Sequence, residues 1–395
     1  MTAFDFDTPV DRRGTDSLKW DVPAGELPMW VADMDFMTAP AVRDALAARL
    51  AHGVFGYSDV PEAWYRAYCD WWQTRHGVTF APAWLTFTTG VIPALSSVVR
   101  KLTTVGENVL VMTPVYNIFF NSVVNNGRHL LACPLRYEGG TYDVDFAALE
   151  AGLADPETSM MILCNPHNPV GKIWPRETLA RIGALARKHH VIVVSDEIHC
   201  DLTDPGLSYT PFASVSEECR ENSVTLLAPT KAFNLAGLQT ACVVTPDPTL
   251  RHRVERGLNT DEVAEPNAFA VTAAVAAFTK GAPWLDALRA YLYENKCLVR
   301  ETLARECPDL RVVGGDATYL LWLDASRITP DAAPLADHLR HAAGLYLTAG
   351  GVYGEVGRPF LRMNVAAPRA TVLEGLRRLT RGVASFRGTA GPSAD

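Results

Sequence analysis

The chain has 395 residues, 48% of them hydrophobic and 20% charged, with acids exceeding bases by 44 to 36 for a formal charge of -8. That length predicts two or three domains with real cores, and that composition excludes a mainly disordered, collagen-like or coiled-coil chain. The acidic balance argues against nucleic acid or an anionic membrane surface as a partner.

Eight cysteines, at positions 69, 133, 164, 200, 219, 242, 297 and 307, form no CxxC pair and no Cys/His cluster at zinc spacing. They read as reduced thiols, and no metal is expected. Residues Met1 to Val10 include Asp5 and Asp7 and lack the apolar core of a secretory signal. No segment approaches the ~20 apolar residues needed to span a bilayer, so a cytoplasmic protein with no membrane partner is expected.

Residues 1–40 read as an extended arm, rich in turn formers, that joins the smaller of two domains. Val42, Leu46 and Leu50 then mark a helix that Gly53 can end. From about 85 to 245 short β-branched runs alternate with amphipathic stretches, the pattern of βαβ units. The predicted strands are Leu85 to Thr88, Val109 to Met112, Met160 to Cys164, Val191 to Ser195, Val224 to Leu227 and Ala241 to Thr245. Nearly all are continuous apolar runs, as strands covered on both faces should be. Between them, Leu179, Ile182, Leu185 and Ala186 recur at helical spacing within Thr178 to His190. Phe269 to Phe278 is short and Ala-rich, a buried helix. Beyond about Pro283 come a long helix, strands at Tyr319 to Leu323 and Phe360 to Asn364, and a helix from about Arg369 to Val383, while the polar tail from Gly388 to Asp395 should fray. The expected fold class is α/β: a mainly parallel central sheet in a large domain over 41–283 and a smaller α/β domain over 284–395.

In open α/β sheets ligands bind beyond the carboxyl ends of the strands, so the residues that follow each apolar run carry the most information. After the first run stand Thr88-Thr89-Gly90-Val91-Ile92, a glycine turn into a helix whose free N-H groups could hold a phosphate. The run at 160 leads into Asn165-Pro166-His167-Asn168-Pro169, where two Asn-Pro steps impose a loop and aim amide side chains at the crevice. Four apolar residues at 191–194 end in Ser195-Asp196-Glu197, where a bare carboxylate is costly unless a cation meets it. The next strand ends in Ala228-Pro229-Thr230-Lys231, a lysine that desolvation and a nearby cation could make a usable amine. A phosphate turn, an acid for a ring nitrogen, an amide for a phenolic oxygen and a nucleophilic lysine are what pyridoxal phosphate requires of a protein.

The order Gly90, Tyr116, Asn168, Asp196, Lys231, Arg362 resembles the fold-type I pyridoxal-phosphate enzymes of the class I/II aminotransferase superfamily, over essentially the whole chain. "PMWVADMDF" at 28–36, "HGVFGY" at 52–57, "SDEIHCD" at 195–201, "TKAFNLAGLQ" at 230–239 and "GAPWLDALR" at 281–289 look like the bacterial cystathionine β-lyase, or MalY/PatB, C-S lyase branch. The resemblance implies Lys231 as the Schiff-base lysine, Asp196 as partner of the pyridinium nitrogen, Asn168 as donor to the cofactor phenolate and Tyr116 stacked on the ring. The phosphate would lie against Gly90, Val91, Ile92 and the hydroxyl of Thr230, with Tyr57 reaching in from the other subunit of a homodimer. Arg362 would grip the substrate carboxylate, a task suited to a planar bidentate donor, with Asp33 and Tyr353 as further substrate contacts. His199 matches a histidine of the branch and reads as a support of the cofactor more than a proton shuttle.

Three departures stand out: Ala228 where many relatives carry a serine, Gln239 where many aminotransferases carry an arginine, and Thr348-Ala349-Gly350-Gly351 in place of a Pro-Gly step before Tyr353. The second favours the lyase branch. The resemblance therefore implies β-elimination from an S-substituted L-cysteine to thiol, pyruvate and ammonia. Rival readings are an aminotransferase, a decarboxylating oxidative deaminase of a cysteine conjugate, and a regulatory binding protein. Trp64, Trp71, Trp72, Phe119 and Phe120 read as core or dimer packing, and His52, His189 and His190 as surface or helix-end residues.

Overall fold

The computed structural model describes residues 4–389, so residues 390–395 of the expected frayed tail lie outside the described residues. Its centre is a seven-stranded sheet of β1 (Leu85–Thr88), β2 (Asn108–Thr113), β3 (His129–Pro134), β4 (Thr158–Cys164), β5 (Ile192–Asp196), β6 (Ser223–Leu227) and β7 (Ala241–Val244), in the order β1-β7-β6-β5-β4-β2-β3. Strand β7 runs antiparallel to both neighbours, and every other pairing is parallel. The continuous apolar runs have the expected cause. Val109, Val111, Met160 and Ile162 face a core built with helices Val91–Leu102 and Pro248–Thr260, while Leu110, Met112, Met161 and Leu163 face a second core against helix Arg176–Lys188. Strands β2 and β4 are thus buried on both sides.

Edge strand β3 went unpredicted because its short apolar run, Leu130-Leu131-Ala132-Cys133, contains no β-branched residue and ends at Pro134, and as an edge strand it leaves His129 and Ala132 exposed. The strand predicted at Val191 to Ser195 lies one residue further on, which makes Asp196 its last residue. Trp64, Trp71 and Trp72 lie on helix Glu62–His76 and pack in the core with Tyr68 and Phe278. Phe119 is buried as well, and His52 and His190 are exposed.

A second, four-stranded antiparallel sheet holds β8 (Arg311–Val313), β9 (Leu320–Asp324), β10 (Thr348–Ala349) and β11 (Phe360–Asn364) in the order β8-β9-β11-β10. Helices Ala333–Ala343 and Arg369–Thr389 cover it. The arm joins this side of the molecule: Leu27–Pro28 pairs in parallel with Leu345–Tyr346. Helix Ala282–Glu306 binds the two cores together. Its first turns put Trp284, Leu285 and Leu288 into the core beneath the large sheet, and its last put Val299 and Leu303 into the core of the small one. Among the described residues no helix is long and apolar enough to cross a membrane.

Candidate active site

Beyond the carboxyl ends of β4, β5 and β6 lies a cavity of about 270 Å³ whose walls include Gly90, Tyr116, Asn168, Asp196, Thr230 and Lys231. The topology explains the convergence, because parallel neighbours bring their following loops to one edge of the sheet. Gly90 caps helix Val91–Leu102, whose first amides have no intrahelical acceptor. A Cβ on Gly90 would lie 3.1 Å from the Pro93 ring, so the bare backbone keeps this turn open.

Two adjacent buried acids are treated differently. The Glu197 carboxylate accepts from Ser195 Oγ, Phe212 N, Tyr209 Oη and Asn165 Nδ2, which makes it a strut of the fold. Among the described residues the Asp196 carboxylate accepts only from the Ile198 amide, at 3.1 Å, and the residue is 3% exposed. Burial pushes its pKa up to about 7, against the Ile198 N-H and the charge of Lys231. It is a carboxylate that lacks a cation.

Lys231 Nζ donates to the carbonyl of Ala32 at 2.6 Å. Desolvation brings its pKa down to about 8, reinforced by the Arg362 charge and opposed by Asp33 and Asp196. Arg362, on β11, is 6% exposed, donates to Trp30 O at 3.0 Å and Asn168 Oδ1 at 3.4 Å, and leaves its buried Nε without a partner. Its guanidinium stands 4.9 Å from the centre of the Tyr353 ring. With Oδ1 engaged by Arg362, the Asn168 side chain keeps its NH2 group as a donor. The Tyr116 hydroxyl is pushed up to about 12, chiefly by burial. His199 is buried in the cavity wall with Nδ1 unpaired; desolvation, then Lys231 and Arg362, hold its pKa down at about 3, so the ring is neutral near pH 7.

Four expected residues, Tyr57, Asp33, Tyr353 and Arg362, do not line this cavity. Tyr57 is fully exposed, in an exposed run from His52 to Tyr57. Asp33 is gripped by Arg12 at 2.6 Å, and Arg12 and Lys19 also hold Asp35, at 2.7 and 2.8 Å. Its carboxylate therefore tethers the arm. Tyr353 and Arg362 line an outer cleft of about 610 Å³ that shares Ala32, Tyr116 and Lys231 with the inner cavity.

Sequence reasoning missed the residues that hold the arm against the cavity. Asn364 Nδ2 donates to the carbonyls of Val31 and Asp33, and Tyr319 Oη joins Lys231 on Ala32 O. Asn234 takes Met34 N, Met34 O and Phe36 O. Arg362 and Asn364, two apart on β11, share a face of the strand, so the "LRMN" segment carried the signal.

The match to known proteins decides the family: residues 27–379 fit the model described as "Aminotransferase class I and II". The chain belongs to the class I and II aminotransferase family. Within it, the chain is 44% identical to cystathionine beta-lyase PatB of Bacillus subtilis, over 95% of this chain and 98% of that protein. It is 34% identical to protein MalY of Escherichia coli, over 97% of this chain and all of that one. Cystalysin of Treponema denticola, a crystal structure that contains a pyridoxal 5'-phosphate cofactor, superposes with a TM-score of 0.94 at 30% identity, over 98% of this chain and 100% of cystalysin. The fold is thus that of the family's pyridoxal-phosphate members.

Proposed function

We propose that this chain is a pyridoxal-phosphate-dependent C-S β-lyase, a homodimer that cleaves an S-substituted L-cysteine to thiol, pyruvate and ammonia. The observation that carries this reading is the meeting of a buried carboxylate and a lysine with its pKa near 8 in one cavity, with an arginine that keeps a spare donor in the cleft that shares this lysine. The residues fit the cofactor. Asp196 lacks the cation that a protonated ring nitrogen would supply, the Asn168 NH2 group is free to donate to a phenolate, and Gly90, Val91, Ile92 and Thr230 offer donors for a phosphate. When bound, the cofactor supplies the sink for the electron pair left at the substrate Cα.

The protein's own work follows. Arg362 holds the substrate carboxylate bidentately and thereby fixes the Cα–H bond toward Lys231. Lys231 Nζ takes the Cα proton, and its lowered pKa keeps the amine partly unprotonated near neutrality. Asp196 would keep the ring nitrogen of the bound cofactor protonated. The Cβ–S bond breaks with its electron pair on sulfur, the thiolate takes up a proton, and water converts the three-carbon remnant to pyruvate and ammonia. The relatives' activities and Gln239, which lines the cavity where many aminotransferases carry arginine, favour elimination over amino transfer. Tyr57 of the partner subunit completes the phosphate end, and the enzyme works in the cytoplasm.

The test is product stoichiometry with an S-alkyl cysteine and no keto acid acceptor. One pyruvate and one thiol per ammonia are expected. Turnover that stops after one equivalent until a keto acid is added makes it an aminotransferase, and an aldehyde with carbon dioxide makes it a decarboxylating deaminase. Lys231→Ala is expected to lose the borohydride-reducible link between cofactor and protein.

A further inference from the structure

The outer cleft is larger than a three-carbon amino acid requires. At about 610 Å³ it falls within the range of ~300–1,000 Å³ that holds a drug-sized molecule. It opens directly from Lys231 and Arg362, so whatever hangs from the substrate sulfur enters it. Its walls are mostly carbon: Leu18, Trp30, Ile118, Leu347 and Val352 among them. Trp30 stacks on Tyr346 with ring centres 4.7 Å apart.

Apart from Lys231 and Arg362, two charged residues line the cleft, Asp337 and Arg340. Arg340 is committed: its Nε donates to Glu26 at 3.0 Å and its guanidinium lies 3.8 Å from the centre of the Tyr346 ring. Asp337 is an exposed carboxylate beside His341, at 3.1 Å, and is already well solvated. A distal ammonium and carboxylate, such as the far half of cystathionine carries, would leave water for a cleft whose one cation beyond Lys231 and Arg362, Arg340, already pairs with Glu26 through its Nε among the described residues. The mouth shows the complementary feature. Leu18 on the arm is 75% exposed and Val352 on the turn before Gly354 is 46% exposed, two aliphatic side chains at one opening with nothing over them in the chain.

We infer that this cleft accepts an uncharged, apolar S-substituent, so that the enzyme prefers long-alkyl or aromatic thioethers of L-cysteine to cystathionine. The inference rests on the lyase reading above and specifies its substrate class. Burying one methylene is worth about fourfold in binding, so several methylenes laid along Trp30, Leu347 and Val352 give a preference that kinetics can resolve.

The experiment compares kcat/KM of the holoenzyme for S-hexyl-, S-methyl-L-cysteine and cystathionine, reading pyruvate and thiol. The two alkyl thiolates are leaving groups of closely similar basicity, so the comparison isolates the cleft. S-hexylcysteine is expected to exceed S-methylcysteine by about tenfold or more, and to exceed cystathionine. Leu18→Asp and Val352→Asp, each a change at an exposed position, should pull the hexyl-to-methyl ratio down toward one. If the methyl compound or cystathionine is the better substrate, or if the ratio is unmoved in both variants, the inference is wrong while the lyase reading stands. If Leu18→Asp and Val352→Asp split the dimer on size-exclusion chromatography, the rim is a subunit contact and the inference also falls. Absence of pyruvate from all three compounds would remove the lyase reading itself.

Discussion

Asp196 is costly to the fold and, in the proposed mechanism, essential to the chemistry. Its carboxyl has a folded-state pKa of about 7 against an ordinary 3.8, because burial outweighs the single Ile198 hydrogen bond. A carboxyl raised in this way contributes stability that is complete below about pH 4 and is lost as pH rises through about 7, where the folded protein must also ionise it. Asp196→Asn removes that loss. In the cofactor-free protein at pH 8 the variant is expected to be more stable by about 3–4 kcal/mol, with the difference vanishing near pH 4. The holoenzyme variant is expected to lose several orders of magnitude in kcat/KM, since an amide cannot keep the ring nitrogen protonated. Chemical denaturation across pH together with kinetics checks both; a variant that melts lower at pH 8 would make Asp196 a structural partner. Lys231, Asp196 and Asn168 were candidates from the sequence because each lies within about four residues of the end of an apolar run. The positive-φ backbone at Asn234, Gln239 and Thr318, which shapes the loops around the site, was not, since none is glycine and only asparagine favours that region.

Among the elements, the arm segment from Trp30 to Asp33 has no regular secondary structure, and its four carbonyls are taken in turn by Arg362, Asn364, Lys231 with Tyr319, and Asn364 again. A buried backbone acceptor without a donor is expensive, so these side chains stand in for the missing strand partner. Asn364→Ala is expected to destabilise the protein by about 2–4 kcal/mol by orphaning the Val31 carbonyl and leaving the Asp33 carbonyl with only the long bond from Lys19 Nζ, at 3.4 Å. It should also speed amide hydrogen exchange across residues 29–36 and raise KM, because Arg362 and Trp30 then lose their fixed relation. Unchanged exchange in that segment would show that the Arg12–Asp33 and Lys19–Asp35 pairs suffice to hold it. This tethering was beyond the sequence for a plain reason: periodicity reports burial of side chains in helices and strands, and an irregular segment held by polar groups some 200 to 330 positions away has no period.

Across the whole molecule, the expected dimer has a direct complementation test. If Tyr57 serves the neighbouring subunit's cavity, Lys231→Ala and Tyr57→Ala proteins, each inactive, refolded together one to one should recover about a quarter of wild-type activity, because half the dimers then carry one intact site of two. No recovery, with heterodimers present, would place Tyr57 outside the site. The two sheets themselves were readable from the alternation of apolar runs and amphipathic stretches, whereas their connection was not, since helix Ala282–Glu306 looks like one element of the second domain. Its middle is fastened to both sides: Asn295 Nδ2 holds the carbonyls of Val365 and Ala367, and the Lys296 ammonium is buried against Asp204 and Gly315 O. A rigid rod shared by two cores couples their melting. The monomeric unit should then show one calorimetric transition whose van't Hoff and measured enthalpies agree, and Tyr293→Pro, which breaks the rod at a half-exposed position between its two ends, should resolve that single peak into two.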